Sequence, residues 1–85
     1  MNTEKKYLNE LISEFIKISD RKVMENFLYG LLTDSELVEV PMRVQIVKML
    51  KKGLPHHQIA KKLGVGIATV TRGSTELKKG RFKYV

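Results

Sequence analysis

Residues 58–74, QIAKKLGVGIATVTRGS, limit what this chain can fold into more than any other stretch. Ala60 is small, Gly64 follows four positions later, and Val70 stands ten positions after the alanine. Two helices crossing at roughly 90–120° need three residue types at such offsets. A small residue sits where the backbones approach, and the turn needs one that tolerates positive φ. A branched apolar residue then locks the second helix to the first. Ile59, Leu63 and Val65 supply the apolar filling. The pattern is that of a helix-turn-helix. An ordinary αα-hairpin uses similar residues, so charge has to decide between the two.

Charge is unevenly spread. Of a formal net charge of +7, the stretch from Arg43 onward holds eleven basic residues against one acid, Glu76. The first 42 residues hold five basic and eight acidic side chains. Lysines that merely solubilise helix faces do not account for so few acids in the second half. A basic helix-turn-helix half points to the phosphates of duplex DNA, and a mildly acidic half suits a separate assembly module.

Eighty-five residues make a single helical domain, small enough that oligomerisation is a natural way to bury more apolar surface. No cysteine is present, so disulfides, thiol chemistry and sulfur-ligated metals are excluded, which fits a cytoplasmic location. The start MNTEKKYLNELISEF is charged and amphipathic, unlike a signal peptide or a membrane span. No catalytic constellation is expected. Gly64-Val65-Gly66 lacks the spacing and strand context of a phosphate-cradling loop, and the serines have no recognisable base partner. His56 and His57 are adjacent, and so point about 100° apart on a helix, a poor metal site.

The periodicity predicts an all-α fold of five helices. Tyr7, Leu8, Leu11, Ile12, Phe15 and Ile16 recur at helical spacing and place a first helix over about residues 4–18. Ser19 or Asp20 can cap a second, with Val23, Met24, Phe27, Leu28, Leu31 and Leu32 on its apolar positions. Thr33-Asp34-Ser35-Glu36 fits a capping box, so a third helix starts at Asp34 and runs to about Lys52, stopped by Gly53. Pro41 lies inside it and is expected to kink it, or else to begin a new helix. Pro55 is expected at the first position of the fourth helix, and the fifth spans about 67–78. The apolar faces of the first two helices are wider than one small monomer easily covers. They imply a symmetric homodimer, with an intramolecular core as the alternative. Residues 1–53 then form the helical core and dimerisation region, 55–78 the helix-turn-helix, and 79–85 a basic tail.

LLTDSE, PMRVQIVKMLKKG and QIAKKLGVGIATVTRGSTELK, within Leu28–Lys79, resemble the Trp repressor family of bacterial transcription factors. GIATVTRGS is the most specific part, since a generic helix-turn-helix has no reason to continue into Thr-Arg-Gly-Ser. The resemblance implies a dimeric repressor that binds operator DNA and takes L-tryptophan as corepressor, with no other cofactor.

Family roles carry over position by position. Arg43 would stack on the indole, and Arg72 would pair with the ligand carboxylate; both are chemically apt for a guanidinium. Leu32 and Thr33 would approach the ligand from the other subunit, and Gly73 would permit close backbone approach. Glu76 stands where the family usually has a small residue beside the ligand's amino group. It could attract the ammonium and repel the carboxylate. Without the resemblance, Arg43 reads as a solvated helix arginine and Arg72 as a phosphate contact. The segment KKGRFKYV takes the place of a further family helix and is too short and basic to replace it.

On the DNA side, the resemblance places His56 and His57 at the start of the first helix of the motif, where simple exposure is the alternative. Ile67, Ala68, Thr69 and Thr71 would face the major groove, touching thymine methyls and offering hydroxyl or water-bridged hydrogen bonds. Lys61, Lys62 and Lys78 are the candidates for phosphate contacts. Two alternatives stand beside this reading. One is a relative independent of tryptophan or answering another small molecule. The other is a basic helical adaptor for RNA or an acidic protein, which would show exposed aromatics for stacking; only Phe82 and Tyr84 offer them in the basic half.

Overall fold

In the first half of the chain, side-chain caps set where each helix begins. The computed structural model describes residues 2–85, and all its regular structure is α-helical. Helix α1 runs Thr3–Lys17, with Asn2 as its N-cap, accepting from the Lys5 N–H at 2.8 Å. Of the two candidate caps for α2 (Arg21–Leu31), the chain uses Asp20, whose carboxylate accepts from the Val23 N–H at 3.0 Å. At the start of α3 (Asp34–Lys51) the expected capping box is fully formed. Thr33 Oγ1 accepts from the Glu36 N–H at 3.2 Å, and the Glu36 carboxylate accepts from the Thr33 N–H at 2.9 Å. Two otherwise orphaned amides are satisfied reciprocally.

Pro41 does not split α3; the helix runs continuously through it. Its end is set by Gly53, at φ 84°, with the Leu54 N–H returning to the Met49 carbonyl at 3.2 Å. That is a Schellman closure, and a left-handed residue is what it requires. Pro55 differs from expectation: it is the N-cap of α4 (His56–Leu63), with ψ 149°, so the helix starts one residue later. Its carbonyl already accepts from the Gln58 and Ile59 amides, both at 3.1 Å. Helix α5 spans Ile67–Lys78 as expected.

The chain divides into two compact units, one reaching Leu37 and one running Val38–Val85. In the first, Phe15 and Phe27 meet edge to face, with ring centroids 5.4 Å apart. No described residue of α1 or α2 is buried, and Tyr7, Leu8, Ile16, Val23 and Tyr29 are all more than half exposed. In the second unit, Ile46, Val47, Ile59 and Val70 are buried. Ile46, Ile59 and Val70 form one cluster, contributed by α3, α4 and α5, with Leu50, Ala60, Leu63 and Val65 packed on it. Each such aliphatic side chain contributes roughly 1.5–3 kcal/mol on burial. This cluster fixes α4 and α5 against each other and against the part of α3 that follows Leu37.

Candidate nucleic-acid interface and effector pocket

The α4–α5 pair has the anatomy of a helix-turn-helix. Gly64 ends α4 in the left-handed region, at φ 68° and ψ 35°, and the Val65 amide closes on the Ala60 carbonyl at 3.0 Å. Three residues, Gly64-Val65-Gly66, then separate the helices. Ile59 and Val70 are fully buried between them, and Ala60 packs on the same cluster. The small, turn and locking positions read from the sequence therefore occupy those places.

The face left open is the one expected to meet DNA. Ala68, Thr69 and Thr71 are exposed, and Ile67, a large apolar residue at the start of α5, is 51% exposed. Neither α4 nor α5 has a side-chain cap, so the amides of their first two residues, at His56, His57, Ile67 and Ala68, are left for phosphate oxygens. His56 is half-buried and His57 exposed at the start of α4, while Lys61, Lys62 and Lys78 are exposed. The Thr71 hydroxyl donates to the Ile67 carbonyl at 3.0 Å. Its proton is thus committed within the helix, and toward a base it offers only acceptor capacity.

Beside this face lies a pocket of about 900 Å³, within the size range of small-molecule sites. Arg43, from α3, and Arg72, Gly73 and Glu76, from α5, all line it, as do Ala68 and Thr69 at the start of α5. Buried Val47 and Ile46 contribute apolar wall. Four of the six residues expected at a ligand are thereby brought to one place. Leu32 and Thr33 are not among the lining residues; they close α2 and cap α3. Gly73 has a second duty. A Cβ built on it would stand 2.9 Å from Ile46 Cγ2, so the missing side chain is what lets α5 approach α3.

Among the lining residues to which the sequence gives no ligand role are Arg81, Phe82 and a second acid, Glu39. Gly80, at φ 81°, turns the chain after α5, and the Arg81 amide closes on the Glu76 carbonyl at 3.2 Å. Glu76, 30% exposed, then pairs with Lys79 Nζ and Arg81 Nε, each at 3.5 Å. The signal available was the lone glycine of KKGRFKYV, a C-terminal helix stop that returns the chain toward the helix it has left. Among the described residues no His, Cys, Asp or Glu cluster could hold a metal. No described helix is long and apolar enough to cross a membrane.

The fold defines a helix-turn-helix protein with a pocket beside its second helix. The family described as Trp repressor protein matches residues 6–85. A Trp operon repressor homolog of Vibrio campbellii is 44% identical over 81 residues, covering 92% of this chain and 81% of that protein. The Vibrio parahaemolyticus homolog is likewise 44% identical over 81 residues, covering 92% and 79%. The uncharacterized protein YerC of Bacillus subtilis is 27% identical over 79 residues, covering 93% and 76%. No solved structure matches the chain. The chain belongs to the Trp repressor family, and with it to the DNA-binding transcription regulators rather than the enzymes.

Proposed function

We propose that this chain is a cytoplasmic, homodimeric repressor whose operator binding is activated by L-tryptophan. The observation that carries the reading is the pocket: Arg43 and Arg72 share it with Ala68 and Thr69 of the DNA-facing helix. A guanidinium stacks on an indole face and another grips a carboxylate through paired charged hydrogen bonds. A ligand held there bridges α3 to the start of α5 and fixes the angle at which α5 meets the groove. Linkage makes the coupling reciprocal, with about 1–3 kcal/mol typical of such systems. The unburied apolar faces of α1 and α2 support the homodimer, and symmetry would match two recognition helices to a near-palindromic operator. Leu32 and Thr33 of the second copy would then reach the ligand, as the family resemblance implies.

One observation favours a second reading, a family regulator that answers another small molecule or none. Glu76 puts a carboxylate on the pocket wall, and a ligand carboxylate has to approach it. The test begins with selection of a preferred duplex from a random-sequence pool. L-tryptophan is then titrated into the protein, and duplex affinity is measured with and without it. Because the chain contains no tryptophan, the ligand's indole emission reports binding without protein background. Saturable binding and a tighter complex are expected. If millimolar L-tryptophan neither binds nor changes duplex affinity, the corepressor reading is wrong and the second reading replaces it.

A further inference from the structure

We infer that the segment after α5 is a working wall of the effector pocket, with Phe82 packing against the ligand's ring and Arg81 restraining Glu76. The inference rests on the effector reading above and extends it to residues after Lys79, to which the family resemblance assigns no role.

Three observations converge. Phe82 is half-buried and lines the pocket, although it sits in a strongly basic, otherwise exposed segment. An aromatic side chain on a pocket wall offers an apolar face to an aromatic ligand, and Phe82 shares the pocket with Arg43. Second, the segment is anchored. Lys51 Nζ, at the end of α3, donates to the Phe82 carbonyl at 2.6 Å and to the Val85 carbonyl at 2.7 Å. Combined with the closure of the Arg81 amide on the Glu76 carbonyl, these bonds hold the backbone on both sides of the ring. Third, the charges are arranged to relieve the conflict at Glu76. Arg81 Nε and Lys79 Nζ flank its two carboxylate oxygens, each at 3.5 Å. A carboxylate so paired opposes the carboxylate of an incoming ligand less than a free one does.

The segment thus performs two tasks. It adds an aromatic wall, and it pairs Glu76, the acid that α5 contributes to the pocket; the other lining acid, Glu39, comes from α3. Lys51 is a positioning residue that acts through the backbone of Phe82 and does not itself line the pocket.

The test is L-tryptophan affinity of the full chain, read from ligand fluorescence, for wild type and five variants. Phe82→Ala should weaken binding about tenfold, the loss expected when an aromatic ring is left without its partner, and Phe82→Tyr, which keeps the ring, should retain it. Lys51→Met and Arg81→Gln should each weaken it about threefold to tenfold, the scale of a lost charge-assisted hydrogen bond or ion pair. Tyr84→Ala, in the same segment but 93% exposed, should bind as wild type. Circular dichroism establishes that each variant is folded. If wild type binds L-tryptophan and Phe82→Ala and Lys51→Met bind it equally well, the wall is overturned while the corepressor reading stands. If wild type does not bind at all, both fall together.

Discussion

Gly73→Ala tests the packing that carries the pocket. In a helix interior, alanine is favoured over glycine by about 0.8–1.0 kcal/mol. Against that stands a new Cβ 2.9 Å from Ile46 Cγ2, a methyl on a β-branched side chain that is 1% exposed and fixed in the core cluster. Neither α5 nor Ile46 can yield without disturbing Ile59 and Val70, and overpacking of this kind costs typically 1–3 kcal/mol. The net expectation is a loss of about 1 kcal/mol, extending to about 2, or a fall in Tm of about 4–8 °C per kcal/mol for a domain of this size. Gly30→Ala is the control. Gly30 lies near the end of α2 with nothing within 4 Å of a built Cβ, so there the propensity gain of about 0.5–1 kcal/mol stands unopposed. Urea unfolding followed by circular dichroism gives both values from midpoints at constant slope. If Gly73→Ala stabilises the protein as much as Gly30→Ala does, the close approach of α5 to α3 is not a packing constraint, and the account of the pocket's inner wall fails.

Three further outcomes follow from the same geometry. Thr33→Ala removes one arm of the capping box and should cost about 1 kcal/mol, within the 0.5–2 kcal/mol usual for such caps, in the same unfolding experiment. Lys61→Ala should weaken binding to all duplexes alike and flatten the salt dependence, whereas Thr69→Ala should weaken only the preferred duplex; equal losses on every duplex for both would remove Thr69 from base readout. Arg72→Ala should cost on the order of 1.5–3 kcal/mol of L-tryptophan affinity, and Arg43→Ala about 0.5–2 kcal/mol, measured by fluorescence titration. Arginine variants that bind unchanged would detach the ligand from this pocket.

The chain is legible wherever one residue type has one physical use. Gly64 and Gly53 could be placed because positive φ at a helix end has few other occupants, and Thr33-Glu36 because a capping box is local. Ala60 and Val70 follow from the fixed offsets of two crossing helices, and Ile59 from the apolar filling around them. Pro55 was misplaced by one position because proline suits both the N-cap and the residue after it, and only the observed ψ of 149° separates them. At Pro41 the two expectations could not be separated from sequence, since a proline removes one donor and the rest of the helix decides whether it continues. Arg81 and Phe82 were missed for a different reason. Their place depends on Lys51, more than thirty positions away in sequence, bonding the backbone at Phe82 and Val85. Local pattern carries no trace of such a contact. Gly73 was assigned to ligand approach, and its contact with Ile46 became visible only once α3 and α5 were packed.

The central claim is that effector and DNA act through one element, the start of α5, and reciprocity tests it most directly. L-tryptophan affinity is measured by its own fluorescence on the free protein and on the protein saturated with its preferred duplex. Duplex affinity is measured in parallel with and without saturating L-tryptophan. The account predicts that both affinities tighten by the same factor, about 5- to 150-fold for a coupling of 1–3 kcal/mol. L-tryptophan that binds the free protein and the duplex complex equally well would contradict it.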